Sequence, residues 1–115
     1  MAEDCIFCRI VAGEIPGDIV HEDDDWIAFR DINPQAPTHV LVIPRRHIVG
    51  MGDLGEADAE LLGALLLAAA HVAEAEGLVE GGYRVVVNWG PHAGMAVPHL
   101  HLHVLGGRRM SWPPG

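Results

Sequence analysis

His99-Leu100-His101-Leu102-His103-Val104-Leu105, closed by Gly106-Gly107, alternates imidazoles with aliphatic side chains. Successive side chains of a strand point to opposite faces, so this spacing predicts a strand that turns His99, His101 and His103 to one side and Leu100, Leu102 and Val104 into a core. Three polar rings on one face of a half-buried strand need partners that offset their burial. Two chemistries suit them. Neutral imidazoles are ligands for zinc, and an imidazole can itself attack an electrophile while its neighbours orient it and bind the charge that develops.

Working outward, Arg84 to Asn88 reads as a second strand, joined to the first by the glycine- and proline-containing loop Trp89-Gly90-Pro91-His92-Ala93-Gly94. From about Gly55 to Glu76 the rhythm becomes helical, with Leu61, Leu62, Leu65, Leu66, Ala69, Val72 and Ala73 on one side and Gly77 suited to the C-terminal cap. His39-Val40-Leu41-Val42-Ile43 is apolar throughout, as expected of a strand buried on both faces and stopped by Pro44. Asn33-Pro34-Gln35-Ala36-Pro37 before it is a loop, because proline lacks an amide donor and restricts its predecessor. Ile19 to His21 and Trp26 to Phe29 form a hairpin around Glu22-Asp23-Asp24-Asp25, read as a solvated acidic turn. A short helix capped by Asp4 carries Ile6, Phe7, Ile10 and Val11 and ends at Gly13. The expected class is α+β: a five-stranded antiparallel sheet with one long and one short helix, both on one side. His71 is read as a helix-surface residue, and His21 and His92 as surface or loop residues.

The chain has 115 residues and a mass of 12.4 kDa, the size of one domain spanning 1–115. Half of it is apolar and its mean hydropathy is +0.21, which argues for a packed globule rather than a disordered tail. Seven Lys+Arg against sixteen Asp+Glu leave a net charge of −9, so no general attraction to nucleic acid is expected. A pocket of imidazoles and backbone amides can still bind one phosphate. Met1-Ala2-Glu3-Asp4 lacks the basic segment of a secretory signal, and Leu61 to Ala70 falls short of a membrane span, so a cytoplasmic protein with no membrane partner is expected. The cysteines Cys5 and Cys8 are too close for a useful disulfide staple. Metal binding, inert thiols and redox chemistry stay open for them.

The strand 99–105 resembles the His-x-His-x-His-x-x motif of the histidine-triad (HIT) nucleotide-binding family. Asp31-Ile32-Asn33-Pro34-Gln35-Ala36-Pro37-Thr38-His39 is similar to the family's nucleotide-binding segment, and Gly82-Tyr83-Arg84-Val85-Val86-Val87-Asn88 to its penultimate strand. The ending Gly106-Gly107-Arg108-Arg109-Met110, with Trp112-Pro113-Pro114-Gly115, resembles the Hint, or protein-kinase-C-interacting, branch of nucleoside phosphoramidases. The resemblance implies a homodimer with a continuous sheet and hydrolysis of purine nucleotide conjugates of AMP or GMP. His101 would attack the α-phosphate, and water would then release AMP from an AMP-histidine intermediate. His103 and the backbone amides of Gly94, Met95 and Ala96 would stabilise phosphoryl charge, with His39 in support unless it is ordinary strand packing. Asp31 would hold the ribose hydroxyls and Asn88 the sugar or phosphate end. Ile6, Phe7, Ile10, Ile15, Phe29 and Ile32 would form the base pocket, although a core uses the same side chains. Trp112 is read as reaching the partner's cleft, or else as a packing anchor.

Zinc-carrying relatives imply a structural metal on Cys5, Cys8, His47 and His99, with no organic cofactor. One departure stands out: Gly94-Met95-Ala96-Val97 occupies the place of the branch's usual Gly-Gln-Ser-Val, so a serine hydroxyl near the phosphate is missing. Two other functions compete, namely hydrolysis of dinucleoside polyphosphates or nucleotidyl transfer, and a weakly active AMP-binding interaction module.

Overall fold

The computed structural model describes residues 4–115; positions 1–3, read above as part of an N-terminus without a basic segment, lie outside them. The chain runs α1 (Ile6–Val11), β1 (Ile19–Glu22), β2 (Trp26–Arg30), β3 (Thr38–Pro44), α2 (Ala59–Ala75), β4 (Tyr83–Val86) and β5 (Leu102–Gly106), with short 3-10 turns before α2 and after β4. The strands pair antiparallel in the order β1-β2-β3-β5-β4. The last strand thus enters between β3 and β4, which centres the histidine segment in the sheet.

Alternation divides the sheet into two cores. Trp26, Ala28, Val40, Val42, Leu100, Leu102 and Val104 pack with Leu65, Ala68, Ala69, Val72 and Ala73 of α2. Ile27, Phe29, Leu41 and Ile43, the intervening residues, pack instead with Cys5 and Phe7 from the start of the chain. The helices therefore cover opposite faces, which corrects the expectation of both on one side. Two sequence boundaries also move. Cys5, not Asp4, is the N-cap of α1, its sulfur accepting the Cys8 N–H at 3.4 Å. β4 ends at Val86, two residues short of Asn88.

The α2 stripe is narrower than its pattern: Leu65 is buried whereas Leu66 is 50% exposed and Leu67 is 74% exposed. At the helix end Gly77 takes φ +74°, and its N–H reaches the Glu74 carbonyl while the Leu78 N–H reaches that of Ala73. These two bonds satisfy carbonyls that the last turn leaves open. No helix of the described residues is long and apolar enough to cross a membrane.

The difference between α2 positions gives a direct test. Leu65→Ala is expected to cost about 2–5 kcal/mol through lost burial and a residual cavity. Leu67→Ala should stay within about 0.5 kcal/mol. Urea titration checks both, as a lowered midpoint at unchanged slope for the first variant only.

Candidate active site

The triad begins where the β5 ladder stops. Leu102 pairs with Val42, but His99 to His101 precede the regular strand and follow an extended path held by the Leu100 N–H on the Ile48 carbonyl at 2.6 Å. Expected as a strand from His99, the segment is strand only from Leu102. Pro44 offers no amide opposite this lead-in, and its carbonyl is taken by a side chain, the His99 Nε2–H at 2.9 Å. The alternation persists regardless: Leu100, Leu102 and Val104 enter the α2 core, while the Phe7 ring sets its edge against His99 and His101 on the other face, with centroids at 5.9 and 5.2 Å.

Hydrogen bonds assign a tautomer to each ring. A carbonyl only accepts, so His99 carries its proton on Nε2 and keeps a lone pair on Nδ1. His101 donates Nδ1–H to the His99 carbonyl at 2.7 Å, which leaves the lone pair on Nε2. The Gln35 N–H donates to His39 Nδ1 at 3.1 Å, so His39 protonates Nε2 and donates it to His103 Nδ1 at 2.9 Å. His103 then presents Nε2–H as a donor. Burial, aided by His101 and His39, lowers the His103 pKa from its ordinary 6.5 to about 4, so this donor is neutral near pH 7. Burial likewise lowers His39, against the opposing pull of Asp31.

The lone pair of His99 points into a second cluster. Its Nδ1 lies 3.3 Å from Cys5 Sγ, 3.5 Å from Cys8 Sγ and 3.2 Å from His47 Nδ1, and Cys8 Sγ lies 3.2 Å from His47 Nδ1. A tetrahedral zinc with bonds of about 2.0–2.3 Å keeps its ligand atoms roughly 3.3–3.8 Å apart. The four donors fit that ion, and the Pro44 carbonyl fixes the His99 ring as the orienting partner of a metal ligand does. Burial and the neighbouring Cys5 push the Cys8 thiol up to about 11, the reverse of the depressed value that a reactive redox thiol requires. Asp31, His39 and His103 also gather their donor atoms within 4.8 Å. There the Gln35 N–H occupies His39 Nδ1 and its Nε2 carries a proton, so that trio is a hydrogen-bond relay.

A cleft of about 540 Å³ opens between α1 and the β2–β3 surface, with His101 and His103 among the residues that line it. Of the residues singled out from the sequence, Ile6, Phe7, Ile10, Ile15, Phe29, Asp31, Ile32 and Ala96 line it. Leu41 and Val97 join them without having been picked. Alternation could have found Leu41, since it pairs with both Phe29 and His103. Ile32 is 98% exposed at the rim. Asp31 accepts the Asn33 N–H on Oδ1 at 2.9 Å, which leaves further lone pairs for a ligand. The Ala96 and Val97 N–H groups have no hydrogen-bond partner among the described residues.

Four of the residues selected for nucleotide binding lie outside the cleft. Gly94 is an exposed left-handed residue at φ +78°. Met95 sits back toward Gly50, and Asn88 lines a neighbouring cavity of about 300 Å³ on the other side of His103. Trp112 is 81% exposed, with the Arg84 guanidinium 5.9 Å from its ring. Trp89 holds the loop down: its ring lies on the backbone of Gly50 and Gly52, where an added Cβ would come within 2.8 and 2.1 Å of it. His21 and His71 remain surface residues, with the His21 ring stacked on Trp26 and the His71 ring 5.5 Å from that of His21.

Comparison with known proteins agrees with this geometry. A family model described as "HIT domain" matches residues 12–110. The 14 kDa zinc-binding protein of Zea mays is 53% identical over 112 residues, covering 96% of this chain and 87% of that protein. The purine nucleoside phosphoramidase of Escherichia coli K12 is 49% identical over 111 residues, covering 96% and 93%. A HIT family hydrolase from Legionella pneumophila superposes with a TM-score of 0.94 at 54% identity, covering 96% and 99%.

The lowered His103 pKa fixes a sign for acid stability. Between pH 6.5 and about 4 the unfolded chain binds a proton that the folded His103 resists, so its contribution is complete above 6.5 and lost as pH falls toward 4. His103→Gln is expected to lose stability less steeply than the parent across that window, as read by urea midpoints at successive pH values.

Proposed function

Because the chain belongs to the HIT domain family, we propose that it is a purine nucleotide hydrolase cleaving nucleoside phosphoramidates through a histidine-bound nucleotide. One observation carries this reading: the Nδ1–H of His101 is committed to the His99 carbonyl, which leaves the Nε2 lone pair free on a ring that lines an apolar cleft. In the proposed step that lone pair forms a bond to the α-phosphorus as the substrate's own phosphorus–nitrogen bond breaks. The departing amine takes one proton from solvent. Water then attacks the same phosphorus, releases AMP, returns one proton and restores neutral His101. The His103 Nε2–H and the unpaired N–H groups of Ala96 and Val97 suit the phosphoryl oxygens, on which charge grows in the transition state. The Ala96 amide is thus offered as the substitute for the missing serine hydroxyl. His39 holds His103 in the tautomer that donates.

For the rest of the ligand, Ile6, Phe7, Ile10, Ile15, Phe29 and Ile32 suit a purine, and Asp31 suits the ribose hydroxyls. We assign a structural zinc ion to Cys5, Cys8, His47 and His99; the maize relative is named for zinc binding. When bound, it supplies a cross-link that fixes His99, whose carbonyl orients the nucleophile. Free cysteines held for metal suit a reducing cytoplasm. We read residues 1–115 as one domain that forms a homodimer through β4, an unpaired sheet edge, with the exposed Trp112 available to the partner.

AMP release from an adenosine phosphoramidate of a simple amine tests the activity. His101→Ala is expected to lower kcat by about 10³-fold or more and His103→Gln by about 10²-fold. Turnover that survives in His101→Ala would sink the nucleophile, and none in the parent would sink the activity. Metal removal separates the two sites. Chelation or Cys8→Ser should lower bound zinc and the melting temperature while AMP release per folded molecule persists; turnover that stops in a still-folded protein would place the metal in the chemistry.

A further inference from the structure

The cavity of about 300 Å³ on the far side of His103 has walls from Gln35, Arg84, Asn88, Arg108 and the tail residues Met110 and Ser111. His103 lines both this cavity and the nucleotide cleft, so a group joined to the α-phosphate on the side away from the nucleoside has this space before it. Charge marks it out. The chain carries sixteen acidic residues, yet none of those among the described residues lines this cavity or the adjoining one of about 270 Å³, where Arg84, Arg108 and Arg109 meet.

Elsewhere arginines face carboxylates: Arg30 binds Glu76, Arg45 binds Glu22 and Arg46 binds Asp58. Among the described residues, Arg84 and Arg108 bond only to neutral oxygens. Arg84 donates to the Ser111 carbonyl at 3.1 Å, and Arg108 donates to the Gln35 carbonyl at 3.0 and 3.2 Å and to that of Arg109 at 3.2 Å. A carbonyl orients a guanidinium without neutralising it, and five N–H donors leave each arginine able to take an anion as well. The Asn88 amide beside them has no hydrogen-bond partner among the described residues.

We propose that this cavity is an anion subsite, formed by Arg84, Arg108 and Asn88, that receives a negatively charged group on the portion of the substrate that leaves. The proposal rests on the phosphoramidase reading and narrows its substrates to AMP conjugates of acidic amines. The anion can be a carboxylate or a phosphate, which share this chemistry. Local positive charge at the leaving side of a chain of net charge −9 favours such conjugates over neutral ones.

The test compares kcat/KM for AMP joined through nitrogen to propylamine, to β-alanine and to γ-aminobutyrate, with a dinucleoside triphosphate as the phosphate-bearing arm. An acidic amine should be preferred over propylamine by about ten-fold at low salt, as for charge-assisted hydrogen bonds near a surface. The preference should shrink with added sodium chloride, fall toward one in Arg84→Gln and Arg108→Gln, and survive in part in Arg84→Lys. A parent ratio near one, or a ratio that neither arginine variant alters, overturns the subsite while hydrolysis of the propylamine conjugate keeps the activity standing. A preference for the triphosphate that both variants abolish assigns the anion to phosphate. If no substrate is hydrolysed, the activity reading fails. Calorimetry of the propylamine and β-alanine conjugates on His101→Ala, with and without Arg84→Gln, then decides the subsite: a tighter β-alanine complex that depends on Arg84 supports it, and equal affinities overturn it.

Discussion

His99 is the residue on which the chemistry turns. Its Nε2–H is spent on the Pro44 carbonyl, its Nδ1 lone pair faces the Cys5–Cys8–His47 cluster, and its own carbonyl receives the Nδ1–H of His101. Each bond decides the next. An acceptor at Pro44 dictates the free nitrogen of His99, and a backbone oxygen two residues before His101 dictates that its free nitrogen is Nε2. A fully buried imidazole without such partners would cost several kcal/mol; here the burial of His99 holds the site in register.

The same logic, run from the opposite side, sets His103. Its chain of bonds starts at the Gln35 amide in the proline-rich loop and passes through His39. Two backbone groups far apart in sequence thus give adjacent rings opposite roles, a lone pair on His101 and a donor on His103. The lowered pKa of His103 belongs to this arrangement, because a relay of neutral rings keeps donor and acceptor distinct where a charged ring would not.

Much of this was readable in advance because the strand period is two and the informative segment is saturated with one residue type. Alternation placed Leu100, Leu102 and Val104 in one core and the histidines opposite, although regular pairing starts only at Leu102. What escaped the sequence is relative placement. The apolar rhythm of Ile6, Phe7 and Ile10 shows which side of α1 is buried, but not on which face of the sheet it packs. Helical periodicity likewise did not reveal that Leu66 would be half exposed. Asn88 reads as part of a strand that actually ends at Val86, and only the tertiary structure puts it across His103 from the cleft. The cysteine pair was legible as a pair; that Cys5 itself caps α1 depends on a sulfur accepting an amide in place of the Asp4 carboxylate.

The loop before the triad is where this chain departs from the pattern it resembles, and its packing explains how the departure is accommodated. Met95 and Ala96 carry no side-chain hydrogen bonds that would anchor residues 94–97. In their place Trp89 lies on Gly50 and Gly52, two positions where no side chain fits beneath the ring, and Met95 sits against the same segment. The underlying segment begins just after His47, and its Ile48 carbonyl also receives the Leu100 amide. Apolar contact at Trp89 and Met95 therefore ties the loop to the segment that carries His47 and to the segment that carries His101. Ala96 needs no side-chain anchor under these constraints, and its amide stays free to face the cleft.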